Sequence, residues 1–259
     1  MILLVIISLC YFINGSVFLK NVKWKKLISI SVLAVFSLLL FSPYSSALDE
    51  TISIWDGTTA GAYDSGTGDQ NSPYLITTGA QLAYFAQQVN SGADNYSGKY
   101  IKLGCNINLN SIEWTPIGYH AVVSGNASDA RAFQGKFSGG GYTVSNLKIT
   151  QYSKTDAYYN EAYIGLFGYC VSCSISDLTV SGAYVNITSP YDMWIGVLAG
   201  DIKKDTSTVS NCFVSGTIYA DSTLTQFTTI LGGFRTGGLV GDFTGDMVNC
   251  GASCDIETN

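Results

Sequence analysis

The chain has 259 residues, of which 47% are hydrophobic and only 12% charged, with a formal net charge of −6. Residues 1–47 carry four lysines and no acid, so 9 basic residues face 19 acidic ones from residue 48 onward, a balance of −10. That balance weighs against a nucleic-acid partner, which would need a basic face, and leaves contact with a membrane to the N-terminal segments alone.

Two apolar segments, MILLVIISLCYFINGSVFL and LISISVLAVFSLLLF, flank Lys20, Lys23, Lys25 and Lys26. The second has the three parts of a secretory signal: a basic start, an apolar centre, and small residues before a cut. Ser45, Ser46 and Ala47 place the expected cleavage between Ala47 and Leu48. The first segment, 19 uncharged residues, is just long enough to span a bilayer. Three arrangements stay open: a true start near Val22 followed by an ordinary signal peptide, an uncleaved membrane anchor, or a hairpin of two membrane helices. All three export residues 48–259. The domains are therefore read as 1–21 (a mis-assigned start or transmembrane helix), 22–47 (signal peptide or anchor), 48–98 (first strand, loop and helix) and 99–259 (the repeats).

ISIWDG, beginning at Ile52, reads as a first strand, and the loop after it holds Asp64 and Asp69 without the residue order of a calcium-binding EF-hand. A helix follows over Thr78 to Val89. Thr78 and Gln81 match a capping box, and Leu82, Phe85, Ala86 and Val89 form one apolar stripe. Asn90, Ser91 and Gly92 end it. A helix of this kind ahead of a solenoid has an evident task, since the first coil exposes unpaired backbone and an open core.

From Lys99 the chain alternates short strands with glycine turns, and four stretches can be aligned: VSNLKIT from Val144, ISDLTVSG from Ile175, VSNCFVSG from Val209 and MVNCGASC from Met247. Their starts lie 31, 34 and 38 residues apart. Periods of this size mean stacked units, none of which can bury its apolar face alone. The alignment makes a column of Asn146, Asp177, Asn211 and Asn249, suited to a side-chain ladder along the stack. Ile149, Val180, Val214 and Ala252 read as an interior column. So do Leu147, Leu178, Cys212 and Cys250, which puts one of these two columns at a bend.

Glycine-flanked apolar runs, IGLFG, IGVLAG and GGLVG, precede the last three copies. With the upstream WDG, PYLITTGAQLAYFAQQVNSG, YSGKYIKLGCNINLN, EWTPIG and FQGKFSGGGYTVSNLKI, this succession resembles the GLUG repeat. That repeat occurs in many bacterial surface proteins and near the N-terminal part of some IgA-specific metalloendopeptidases. The resemblance covers nearly all of residues 55–259. It implies an all-β chain, a right-handed parallel β-helix on an exported protein, and no catalytic residues. IGVLAG carries one extra residue, so a bulge is expected in the second coil.

Side chains able to do chemistry are sparse. The single histidine, His120, rules out a His-rich zinc site and reads as an ordinary loop residue. Two acid pairs, Asp201 with Asp205 and Asp242 with Asp246, each follow a glycine-flanked run. They are expected to be solvated turn acids, with weak calcium binding or the carboxylate pair of a glycoside hydrolase or polysaccharide lyase as the sharper alternatives. No cofactor is expected. Six cysteines remain after export. Cys170 with Cys173, and Cys212 with Cys250, could form disulfides or stay as reduced core thiols. Sequons at Asn95, Asn126 and Asn186 matter only in a eukaryotic pathway. Tyr152, Tyr158, Tyr159 and Tyr163 fall in an insertion between repeats, a place for glycan or protein binding, or for burial against the wall. The whole reads as a non-catalytic exported surface module for adhesion, ligand display or spacing, with an unidentified protein or glycan ligand. A carbohydrate-active β-helix enzyme and a stalk for a domain beyond residue 259 are the alternatives.

Overall fold

A computed structural model describes residues 51–152, 161–190, 192–223 and 234–258, all within the second of the two units into which the chain divides. The two apolar segments, the expected cut between Ala47 and Leu48, and Tyr158 and Tyr159 lie outside the described residues. Among the described residues no helix is long and apolar enough to cross a membrane.

The chain opens with strands β1 (Ile52–Ile54) and β2 (Tyr74–Ile76), helix α1 (Gly79–Ser91), β3 (Tyr100–Leu103) and β4 (Asn106–Asn108). A hairpin, β5 (Ala121–Val123) and β6 (Asn126–Ser128), and a 3-10 turn at Asp129–Arg131 interrupt it before β7 (Lys136–Ser138), β8 (Thr143–Ser145) and β9 (Lys148–Ile149). Three full coils follow, each of four strands. The first is β10 (Ala162–Ile164), β11 (Phe167–Val171), β12 (Ser174–Ser176) and β13 (Thr179–Ser189). The second is β14 (Met193–Ile195), β15 (Ala199–Lys203), β16 (Thr208–Ser210) and β17 (Phe213–Ser222). The third is β18 (Phe234–Thr236), β19 (Val240–Phe243), β20 (Asp246–Val248) and β21 (Gly251–Thr258).

Stacking makes four walls: β10-β14-β18, β11-β15-β19, β2-β3-β7-β12-β16-β20, and β1-β4-β8-β13-β17-β21 with β9 beside β13. Every pairing between these strands is parallel; among the described residues the β5–β6 hairpin and the single Asp69–Ser72 bridge are antiparallel. The protein is a parallel β-solenoid of about four turns with one short helix near its start.

The walls share one core. Ile101, Phe137, Ile175 and Val209 are stacked in register on the third wall, and Ile107, Val144, Val180 and Val214 on the fourth. All eight are buried. The register corrects the sequence alignment of the first copy. Val144 lies beside Val180, not Ile175, and Ile175 lies beside Phe137. The cause is the corner before β8, where Gly140 and Gly141, both left-handed (φ 62° and 84°), replace the single left-handed Asp177.

The polar column divides accordingly. Asn211 Nδ2 donates to Asp177 Oδ1 and Asn249 Nδ2 to Asn211 Oδ1, each at 2.8 Å, while Asn146 instead bonds Asn108 at 2.9 Å. Asp177, Asn211 and Asn249 all sit at φ of 52–54°, a conformation that asparagine and aspartate tolerate better than other residues with a Cβ. One residue type thus meets both needs, the turn and the ladder. Leu178, Cys212 and Cys250 follow directly and form the bend column, which is how two interior columns coexist.

The extra residue of IGVLAG is taken up between the first and second coils, where Ile164 pairs with Ile195 but Phe167 with Ala199. Ile195 pairs with Thr236 and Ala199 with Val240, so the second and third runs have the same length and IGLFG is one residue shorter. A second register shift lies within β13, between Val180 and Ala183, at left-handed Gly182.

Helix α1 takes the expected place and runs two residues, Asn90 and Ser91, past the end of the stripe at Val89. Thr78 Oγ1 accepts from Gln81 N at 3.1 Å, and Gln81 Oε1 reaches back past the cap to Thr77 N at 2.8 Å. Gly92, at φ 76°, closes the other end. Leu82, Phe85, Ala86 and Val89 are buried. The Phe85 ring packs on Phe133, Phe137 and Phe167 at centroid distances of 5.4, 5.8 and 6.3 Å. Beside the helix, Ile117 and Phe133 make single parallel bridges to Phe167 and Cys170. The helix and the loop around the hairpin therefore close the solenoid where the second wall begins.

Candidate functional site

The first and second walls meet at a corner made of glycines, and outward side chains from both walls converge there. A Cβ on Gly200 would stand 2.7 Å from both Ile164 N and Trp194 O, and one on Gly241 would stand 2.6 Å from Gly200 O. No side chain fits between these backbones, so the walls approach closely. Outward from the first wall point Tyr163, Trp194 and Arg235, in register on adjacent strands. From the second wall come Tyr169, Asp201 and Asp242, also in register, with Lys203 beside Val171.

At the upper end the cluster is aromatic. Tyr163 stacks on Trp194 at 5.0 Å and meets Tyr169 at 5.0 Å, and His120 lies over Tyr169 at 5.2 Å. Glu161 accepts a hydrogen bond from the Tyr163 hydroxyl and lies 3.4 Å from His120 Nδ1. Tyr152 donates to the Glu161 carbonyl at 3.2 Å, and Tyr169 to Asp129 Oδ1 at 3.3 Å. Arg131 bonds the Tyr119 hydroxyl. His120, read from sequence as an ordinary loop residue, is a clamp holding the hairpin loop to the wall.

At the lower end the cluster is ionic. Lys203 Nζ lies 3.2 Å from Asp201 Oδ2 and 2.8 Å from Asp242 Oδ2, and Arg235 reaches Asp242 at 2.6 Å while lying 5.9 Å over the Trp194 ring. Asp201 is 1% exposed, and among the described residues neither its Oδ1 nor Trp194 Nε1 has a hydrogen-bond partner. Burial pushes the Asp201 carboxyl up to about 7, against the pull of Lys203. Burial also works to raise Asp242, but Lys203 and Arg235 outweigh it and hold that carboxyl below the usual range. Burial opposes the charge on Lys203, but its two carboxylate neighbours outweigh that and raise its pKa.

Several sequence expectations need correction against this geometry. Asp201 is not a solvated turn acid; it is buried on a strand. The structure joins neither Asp201 to Asp205 nor Asp242 to Asp246. It joins Asp201 to Asp242 across a lysine, while Asp205 and Asp246 are exposed, the latter opposite Thr208. Lys203 Nζ stands between the Asp201 and Asp242 carboxylates, and no group of three or more metal-binding side chains converges among the described residues. Tyr163 is 2% exposed and offers no free binding face, whereas Tyr152 is half-buried. Cys105, Cys170, Cys173, Cys212, Cys250 and Cys254 are all free thiols, with Cys250 Sγ 3.5 Å from Cys212 N. Burial pushes the Cys212 thiol up to about 12 and the Cys170 thiol well above its ordinary value, which keeps both protonated.

Sequence reading missed Trp194, Tyr169, Lys203 and Glu161. The signal was present in part. Tyr163, Trp194 and Arg235 each stand two residues before the first glycine of their run, and Tyr169, Asp201 and Asp242 each follow the last. Among the described residues the exposed aromatics are Phe213, Tyr184 and Tyr219 on the fourth wall, with Tyr184 and Tyr219 at 6.1 Å.

The pH dependence of stability tests the buried acid. The folded pKa of Asp201, about 7, lies above its ordinary value of 3.8, so between these limits the folded chain binds a proton that the unfolded chain has released. Stability should therefore fall as pH rises from about 4 to about 7 and level off above that. Asp201→Asn should remove this slope. It should stabilise the fold at pH 8 by about 2–4 kcal/mol and change little near pH 4. Urea midpoints at the two pH values check it, and equal shifts at both would contradict the assignment.

No protein-family model matches the chain, so the likeness to the GLUG repeat is one of motifs. The chain is 28% identical over 194 residues, 74% of its length, to "Halomucin" of Haloquadratum walsbyi. It is 26% identical over 178 residues, 68% of its length, to "Putative Gly-rich membrane protein" of Evansella cellulosilytica. It spans only 2% and 18% of these relatives' own lengths. Among solved structures it is similar to that titled as a "putative immunoglobulin A1 protease from Bacteroides ovatus", at 14% identity and a TM-score of 0.33, over 76% of this chain and 70% of that one. The two sequence relatives are distant and far longer chains, one of them named as a membrane protein.

Proposed function

We propose that this chain is an exported, non-catalytic module that presents a rigid β-solenoid at the cell envelope for adhesion, ligand display or spacing. The observation that carries the reading is the direction of its polar and aromatic side chains. At the glycine corner the acids and rings bind one coil to the next and to the hairpin loop, with Asp201 sealed from solvent. Among the described residues the exposed aromatics, Phe213, Tyr184 and Tyr219, lie on a wall of long strands instead. The basic and apolar start of the chain and the names of its distant relatives support an envelope setting.

Cell fractionation with N-terminal sequencing tests this. Chain recovered from the envelope or medium, starting at Leu48 or retaining its anchor and open to added protease on intact cells, is the expected result. Chain confined to the cytoplasm with Met1 in place would sink the proposal.

A second reading rests on the opposite pKa shifts of Asp201 and Asp242, since a split carboxyl pair suits acid–base cleavage of a polysaccharide. It requires the corner to open. Release of sugar ends from a polysaccharide, abolished by Asp242→Asn, would favour it over the display module.

A further inference from the structure

Beside helix α1 lies a second aromatic cluster with a different character. Tyr63 from the first loop stacks on Tyr74 of β2 at 4.8 Å, and Tyr84 of α1 stands edge-on to Tyr63 at 5.2 Å. Tyr96 completes the set, its hydroxyl bonded to that of Tyr63. These rings, with Gln88 and Asp94, line a half-open cavity of about 250 Å³. Gln88 lies one helical turn beyond Tyr84, so both side chains leave α1 on the same face.

The core beneath this helix takes in Tyr96, and Tyr63 and Tyr74 pack against it, whereas Tyr84 stands partly buried on the helix surface outside that core. Each phenol can donate one hydrogen bond and accept others. The Tyr63–Tyr96 bond uses one of two protons and leaves the second for another acceptor. Burial raises the pKa of both phenols, which keeps the pair neutral. The Asp94 carboxylate is paired with Lys99 and also accepts from Tyr96 N at 2.8 Å. The cavity therefore offers ring faces, an amide and hydroxyls, with its one acid already balanced by a lysine.

We propose that this cavity binds one neutral hexopyranose residue, such as the end of a glycan chain. A sugar ring has an apolar C–H face to lay on Tyr84 and equatorial hydroxyls for Gln88, Asp94 and the phenol pair. The volume is below that of pockets for larger small molecules and suits a single ring. A quaternary ammonium ion needs rings standing apart around it, but these rings touch, with centroids 4.8–6.4 Å apart. The inference rests on the display reading above and supplies its ligand class.

The test uses the full chain in a sugar-free detergent and the methyl glycosides of glucose, galactose, mannose and N-acetylglucosamine, followed by saturation-transfer NMR. At least one should bind saturably in the millimolar range, with transfer strongest to its ring C–H protons. Tyr84→Ala should weaken that binding about tenfold and Gln88→Ala by a smaller factor, with little change in melting temperature, since Tyr84 and Gln88 are both partly exposed. Binding that ignores both substitutions would overturn the assignment, as would choline binding in place of every sugar. A chain that is exported yet binds none of the four sugars would overturn the cavity assignment while leaving the display reading intact.

Discussion

Gly196→Ala is expected to cost the fold about 4 kcal/mol or more, enough to separate the second full coil from the third. The added Cβ would stand 2.4 Å from Ala199 O, 2.6 Å from Val240 Cα and 2.7 Å from Leu239 O. All three are backbone atoms, and two belong to the next coil, so no side-chain rotation relieves the clash. The φ angle at Gly196 is not left-handed, which means that the glycine is there for space and not for conformational freedom. Glycine at Gly165, Gly200 and Gly241 answers the same need, with Cβ approaches of 2.4–2.7 Å. Gly61→Ala is the control: nothing lies within 4 Å of its Cβ and its φ is unremarkable, so it should shift stability by no more than about 0.5 kcal/mol. Urea unfolding of the two variants decides the matter. A small loss for Gly196→Ala would mean that adjacent coils can move apart at the corner.

That crowding explains what could be read from the sequence and what could not. The glycine-flanked runs, the apolar columns and the helix stripe are one-dimensional patterns, repeated because each coil meets a copy of itself. They placed Ile175, Val209 and the cap helix correctly. The alignment of the first copy failed because two left-handed glycines at 140 and 141 replace one left-handed aspartate, and a letter-by-letter match cannot see that these solve one geometric problem. The site was legible only in part. Asp201 and Asp242 stood out as acids after glycine runs, but their pairing across coils depends on register, which links residues about 40 apart. The burial of Asp201 and Tyr163 follows from the approach of two walls at the corner and from the hairpin loop folded over it, and neither leaves a local signature. Cysteine behaved as its bend column implied, as a small apolar filler between Leu178 and the end of the stack.

The second large effect is expected at the cap. Phe85→Ala should destabilise the chain by about 3–5 kcal/mol, the range for removing a buried phenyl ring. Phe85 is fully buried, stacked on Phe137 and edge-on to Phe133, Tyr96 and Phe167. Tyr96 comes from the turn after the helix, Phe133 from the segment after the 3-10 turn, Phe137 from the third wall and Phe167 from the first full coil, so one ring ties the helix to separate parts of the chain. Neighbouring Gln87 is exposed on the far side of α1, and Gln87→Ala should be close to neutral. Hydrogen exchange separates a cap from a mere surface helix. If α1 seals the start of the core, the variant should lose protection at the amides of Phe167 and Val171 as well as within the helix, because water then reaches the first full coil from its open end. Loss confined to residues 79–91 would show that the solenoid closes itself and that the helix is an attachment.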